Sequence, residues 1–172
     1  MRPAILVLDM VAELTTGRLG SPAARGIRSP LRTLLAQARR IGMPVIYCQK
    51  ACAADEPGGR SDPLLKPRPA EPVLPKQAYD AFFGTDLDER LSALGVDTVI
   101  LTGLYADIDV QHTAAGAFFR GYRVTVPKEG TSPFMPGEEE RAFQAMATLY
   151  GAKITGMPVL IRRLLGKRSQ NG

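Results

Sequence analysis

The sequence has no tryptophan, one histidine and two cysteines among 172 residues. With aromatic residues at only 6 %, it has no stacking platform of the kind that holds single-stranded nucleic acid. His112 alone cannot build a histidine-based metal site, and Cys48 and Cys52 make neither a disulfide framework nor a zinc cluster. Neither a metal nor a cofactor is expected. So few thiols fit a reducing, cytoplasmic setting. Long apolar runs are also missing. The run in "MRPAILVLDM" is interrupted by Asp9 and is too short for a signal sequence or a membrane span. Net charge is +5, from 22 basic and 17 acidic residues. Much of the excess sits in "IRRLLGKRSQNG", read as a solvated basic tail over about 162–172 rather than a nucleic-acid or membrane contact.

What is present is an ordinary globular composition, 45 % hydrophobic and 23 % charged, of a length that suits a single domain over 1–172. "AILVLD" is a continuous apolar run ending in a carboxylate, as in a strand buried on both faces. "SPLRTLLAQARRIG" predicts a helix capped by Ser29, with Pro30 in its first turn and Gly42 at its end. "MPVIYCQ" predicts a second buried strand. Residues from about Ala51 to Pro75 are rich in Pro, Gly and charge and read as a long loop. A short helix in "DLDERLSALG", a strand in "VDTVILTG", a helix in "DIDVQHTAAGAFFRG", a strand in "YRVTVP" and a helix in "GEEERAFQAMATLYG" follow. A last short strand begins at Ala152. This alternation predicts a mainly parallel, Rossmann-like sheet between helical layers, a three-layer α/β/α sandwich.

In such sheets ligands bind beyond the carboxyl ends of the strands. The residues there are Asp9, Gln49, Lys76 and the corner from Tyr105 to Asp109. Each has a plain structural role open to it. Asp9 can cap a turn, Lys76 can be a solvated loop lysine, and Asp109 gains from the dipole at a helix start. Asp107 is the better N-cap. Together, two acids and a lysine at one sheet edge can hold a proton near neutrality, as general acid–base chemistry requires.

The ordered set "ILVLDM", then Lys76 with "AFFGTDLDERL", then "TG" and the helix corner resembles the isochorismatase-like hydrolase family of the cysteine hydrolase superfamily. The likeness runs from Ala4 to about Ser132 and is weak over the 51–72 loop. It implies the sandwich fold already read from the elements, a homo-oligomer, and a cis peptide at Leu104–Tyr105. It also implies catalytic roles for Asp9 and Lys76. Most members carry a nucleophilic cysteine where this chain has Asp109, and a carboxylate is a far poorer nucleophile toward an amide. Cys48 and Cys52 lie elsewhere and read as a core thiol and a loop thiol.

The isochorismatases proper also lack that cysteine, and "GLYADI" resembles their corner. The implied chemistry is vinyl-ether hydrolysis, with Asp9 as proton donor, Lys76 as electrostatic partner, and Gln49, Tyr105 and Ala106 as substrate contacts. Asp109 completes the catalytic set by coupling to Asp9 or orienting water. The loop after "VIYCQ" lacks the Trp-Gly-Pro-Gly segment of isochorismatases. An anionic Asp109 would repel a dicarboxylate, which points to a neutral or cationic small molecule. The alternative is a member that has lost its nucleophile and binds or regulates without turnover. Phe82, Phe83, Phe118 and Phe119 fit either an interface or the core.

Overall fold

In β1 (Pro3–Leu8) the side chains alternate between two apolar clusters. Ala4, Leu6 and Leu8 enter one, and Ile5 and Val7 the other. A strand apolar on both sides needs cover on both sides, and the chain supplies it. The computed structural model describes residues 1–50 and 60–166. Its seven-stranded sheet has the order β3-β2-β1-β4-β5-β7, with β2 (Val45–Lys50), β3 (Val73–Lys76), β4 (Thr98–Leu104), β5 (Arg123–Pro127) and β7 (Lys153–Thr155). The two-residue β6 (Thr131–Ser132) pairs with the end of β4. Every ladder is parallel.

On one face, α4 (Leu87–Ala93), α5 (Gln111–Phe119) and α6 (Glu139–Tyr150) pack through Leu87, Leu91, Ala114, Ala117, Phe143 and Met146. On the other, α2 (Pro22–Gly26), α3 (Arg28–Arg40) and α7 (Met157–Gly166) contribute Ala24, Leu31, Leu34, Leu35, Leu160 and Leu164. The one-turn α1 (Ala12–Thr15) leads away from β1. This is the three-layer α/β arrangement expected from the alternation of elements.

Four local readings are corrected. The helix expected to start at Ser29 starts at Arg28, with Ile27 in the cap position and no side-chain cap. The stretch read as loop up to Pro75 ends in the strand β3, which pairs Gln49 with Pro75 and Lys50 with Lys76. Proline is tolerated there because β3 is the sheet's edge. The basic stretch read as tail from 162 is, through Gly166, the end of α7, anchored by buried Leu160 and Leu164. The apolar residues at helical spacing outweigh the arginines between them, which face out. Asp107 caps no helix: the corner opens with Tyr105 in the cap position. The part of the long loop over 51–59, Cys52 included, and the chain end over 167–172 lie outside the described residues.

Candidate active site

β1 and β4 run side by side and end together, with Leu8 opposite Gly103. Gly103 has φ +106°, and a Cβ there would press into the Leu8 carbonyl oxygen. Only glycine lets the two strand ends approach this closely. The next residue on β1's side is Asp9, which turns the chain in the left-handed region at φ +48°, a conformation aspartate adopts more readily than most side chains. On β4's side the Leu104–Tyr105 peptide is cis, as the resemblance implies. A π-helical turn (Ala106–Val110) follows, carrying Asp109 into α5. β3 brings Lys76 from the far side of β2.

The three side chains meet. Lys76 Nζ lies 2.6 Å from Asp9 Oδ2 and 2.5 Å from Asp109 Oδ1, and donates a third bond to the Ala78 carbonyl at 3.2 Å. The second Asp9 oxygen, Oδ1, accepts the Lys50 backbone N–H at 2.5 Å. Lys76 is 2 % exposed in its side chain and each carboxylate 7 %, so these charges interact through little water. Two carboxylates and one ammonium leave the cluster one negative charge in excess when all are ionised. Burial pushes the Asp9 carboxyl up to about 6; the Asp109 charge adds to this rise, while Lys76 and the Lys50 N–H oppose it. Burial would lower Lys76, but its two carboxylate partners outweigh this and hold it above the ordinary lysine range. The arrangement gives one carboxyl, that of Asp9, raised toward neutrality beside the buried Lys76 ammonium.

The other expected contacts fall into place unequally. Gln49 is buried, and its amide donates to Ser61 Oγ at 2.9 Å. Tyr105 is half-buried, its phenol pushed up by burial and then by the charges of Asp109 and Asp9. Ala106 is fully buried within the core cluster of α5 and α6, so a contact from it to substrate is a backbone one. Asp107 accepts two successive backbone N–H groups, from Phe134 at 2.7 Å and Met135 at 3.1 Å. Cys48 is a core thiol, pushed up to about 12 by burial, and is inert at neutral pH. Sequence reasoning missed Lys50, Ala78, Ser61 and Phe134. Three act through the backbone or from loops without a motif, and Phe134 reaches the corner only through the folded loop. Among the described residues no three His, Cys, Asp or Glu side chains stand together as a metal site. His112 is exposed on α5, with Nδ1 2.7 Å from the Ile108 carbonyl oxygen. A separate cavity of about 180 Å³ lies at the amino ends of β1, β4 and β5, against α7, the opposite end of the sheet.

The isochorismatase domain model matches residues 3–158. Streptothricin hydrolase of Streptomyces noursei is 30 % identical over 155 residues, which span 84 % of this chain and 62 % of that protein. N-carbamoylsarcosine amidase from Thermoplasma acidophilum superposes with a TM-score of 0.85 at 34 % identity, over 91 % of this chain and 97 % of that one. An isochorismatase-like hydrolase from Alkaliphilus metalliredigens gives 0.88 at 26 %, over 95 % and 99 %. The chain therefore belongs to the isochorismatase family. Relatives there include hydrolases by name, among them a ureidoacrylate amidohydrolase of Methylorubrum extorquens and the N-carbamoylsarcosine amidase above.

Proposed function

We propose that the protein is a hydrolase of a small neutral or cationic molecule that works by acid–base chemistry without a covalent cysteine intermediate. Hydrolysis of a vinyl ether is the reaction the site suits best. The observation that carries this reading is Lys76 held between Asp9 and Asp109, with the Asp9 carboxyl raised to about 6. In this reading Asp109 takes the place of the family's nucleophilic cysteine and pairs with Lys76 at 2.5 Å. Protonated Asp9 gives its proton to the terminal carbon of the enol ether, forming a C–H bond and an oxocarbenium ion. Water adds to that ion and returns a proton to the Asp9 carboxylate. The resulting hemiketal breaks its C–O bond to give an alcohol and a carbonyl compound. Asp109 and Lys76 hold the field at that proton, while Gln49, Tyr105 and the Ala106 backbone contact the substrate. The protein works in the cytoplasm as a homo-oligomer in this reading. No described helix is long and apolar enough to cross a membrane, and exposed Phe118 and Phe119 offer apolar surface.

The test is carbonyl release from two vinyl ethers, dianionic isochorismate and a neutral alkyl vinyl ether, by wild type and Asp9→Asn. Turnover of the neutral ether, lost at least a hundredfold in the variant, is expected, since general acid catalysis contributes about 10²–10⁴-fold. Turnover retained by Asp9→Asn would overturn the assignment. A second reading, a binding or regulatory member, has one observation in its favour: each of Lys76's three N–H donors already has a protein acceptor. A ligand held tightly and recovered unchanged would establish that reading instead.

A further inference from the structure

Asp107 lies between the two corner residues already discussed, yet its carboxylate faces neither Lys76 nor a helix end. Both of its oxygens are spent on the loop after β6: Oδ1 accepts the Phe134 N–H at 2.7 Å and Oδ2 the Met135 N–H at 3.1 Å. These are charge-assisted bonds to two successive donors, which fix a segment's position and orientation together. The loop so fixed sets the Phe134 ring against Tyr105, centroids 5.2 Å apart and planes at 70°. That is the edge-to-face geometry aromatic pairs prefer. Tyr105 in turn lies close enough to the catalytic carboxylates for the Asp109 and Asp9 charges to act on its phenol. Phe134 remains 56 % exposed and Met135 likewise, so their apolar surface is displayed rather than used in the core.

We propose that Asp107 is a positioning residue that latches the 133–136 loop to the catalytic corner, so that Phe134 and Tyr105 form an aromatic wall selecting substrates with a flat, unsaturated group. The proposal rests on the hydrolase reading for the site's location, but not on its chemistry. A single turn of chain carries both the catalytic Asp109 and the latch Asp107, so the wall and the proton-handling cluster keep their register. A planar group meets the wall's edges and faces closely, whereas a puckered saturated ring of the same size does not.

The experiment reads binding without turnover. Benzyl alcohol and its saturated counterpart cyclohexylmethanol are titrated by ligand-observed NMR against wild type, Asp107→Ala, Phe134→Ala, Phe134→Tyr and Asp9→Asn. Wild type is expected to prefer the flat ring, and Phe134→Ala to lose about three- to tenfold of that preference, the scale of one aromatic contact. Asp107→Ala should lose as much, with faster amide hydrogen exchange confined to Phe134 and Met135, the two N–H groups that Asp107 holds. Phe134→Tyr should restore the preference. Asp9→Asn should bind the flat ring as wild type does, whatever its effect on turnover. Equal binding of the two alcohols by wild type, or an unchanged preference in Asp107→Ala with its loop exchanging faster, would overturn the proposal and leave the acid–base reading standing.

Discussion

At the scale of single residues, Lys76 decides the character of the site. The buried Lys76 ammonium pairs with both carboxylates, and removing it leaves two buried carboxylates without a partner. Lys76→Met should therefore destabilise the fold by about 3–5 kcal/mol, read by denaturant unfolding. Asp9 carries the pH dependence. Its protonated form is the active one in the proposed reaction, so kcat/KM should fall as pH rises through about 6. The Asp109 charge contributes to the upward displacement of Asp9. In Asp109→Asn the same limb should accordingly move to lower pH, which a kcat/KM profile of the two proteins checks. Asp9 and Lys76 stood out in the sequence because each ends or follows an apolar run, and Asp109 because it lies in the helix corner after β4. Their convergence at one sheet edge was expected from this, but not that Lys76 reaches it from the edge strand, two strands away from β1.

At the scale of elements, the strong alternation of apolar runs and amphipathic stretches announced β1, β2, β4, β5, α3 and α6. It failed where an element was short or compositionally mixed. β3 is four residues including Pro75, β6 is two residues, and α7 hides its apolar side among arginines. Asp107 shows a different limit: a local rule for caps favoured it, and a loop 27 residues further on claimed its carboxylate. The closeness of β1 and β4 is an element-level property that the site depends on. Gly103→Ala should cost at least about 3 kcal/mol, because the new methyl meets Leu8 backbone that cannot move without opening the ladder. Loss of stability well beyond that of Gly121→Ala, which has open space around it at a similar φ, is the expected comparison.

At the scale of the whole molecule, the site is a source of instability as well as of chemistry. Asp9's carboxyl titrates near 6 in the folded protein against an ordinary value of 3.8. A carboxyl with a raised folded value supports folding below its unfolded value and loses that support as pH rises through its folded value. Wild type should thus lose stability relative to Asp9→Asn between about pH 4 and pH 7. Above that range the variant should melt at least as high as wild type while being inactive, a trade of stability for activity. Thermal melts of the pair across that range measure the difference directly, since the remaining titrating groups are shared.

The central claim is that Asp9 carries a proton near neutrality, and the most direct measurement needs no substrate. Carboxyl ¹³C NMR of protein labelled at aspartate, with Asp9→Asn to assign the resonance, follows that group alone. A midpoint near 6 that falls in Asp109→Asn is the predicted result. A midpoint at or below 3.8 would contradict the account, because Asp9 would then be an ordinary carboxylate with no proton to give at the pH where the reaction is proposed to run.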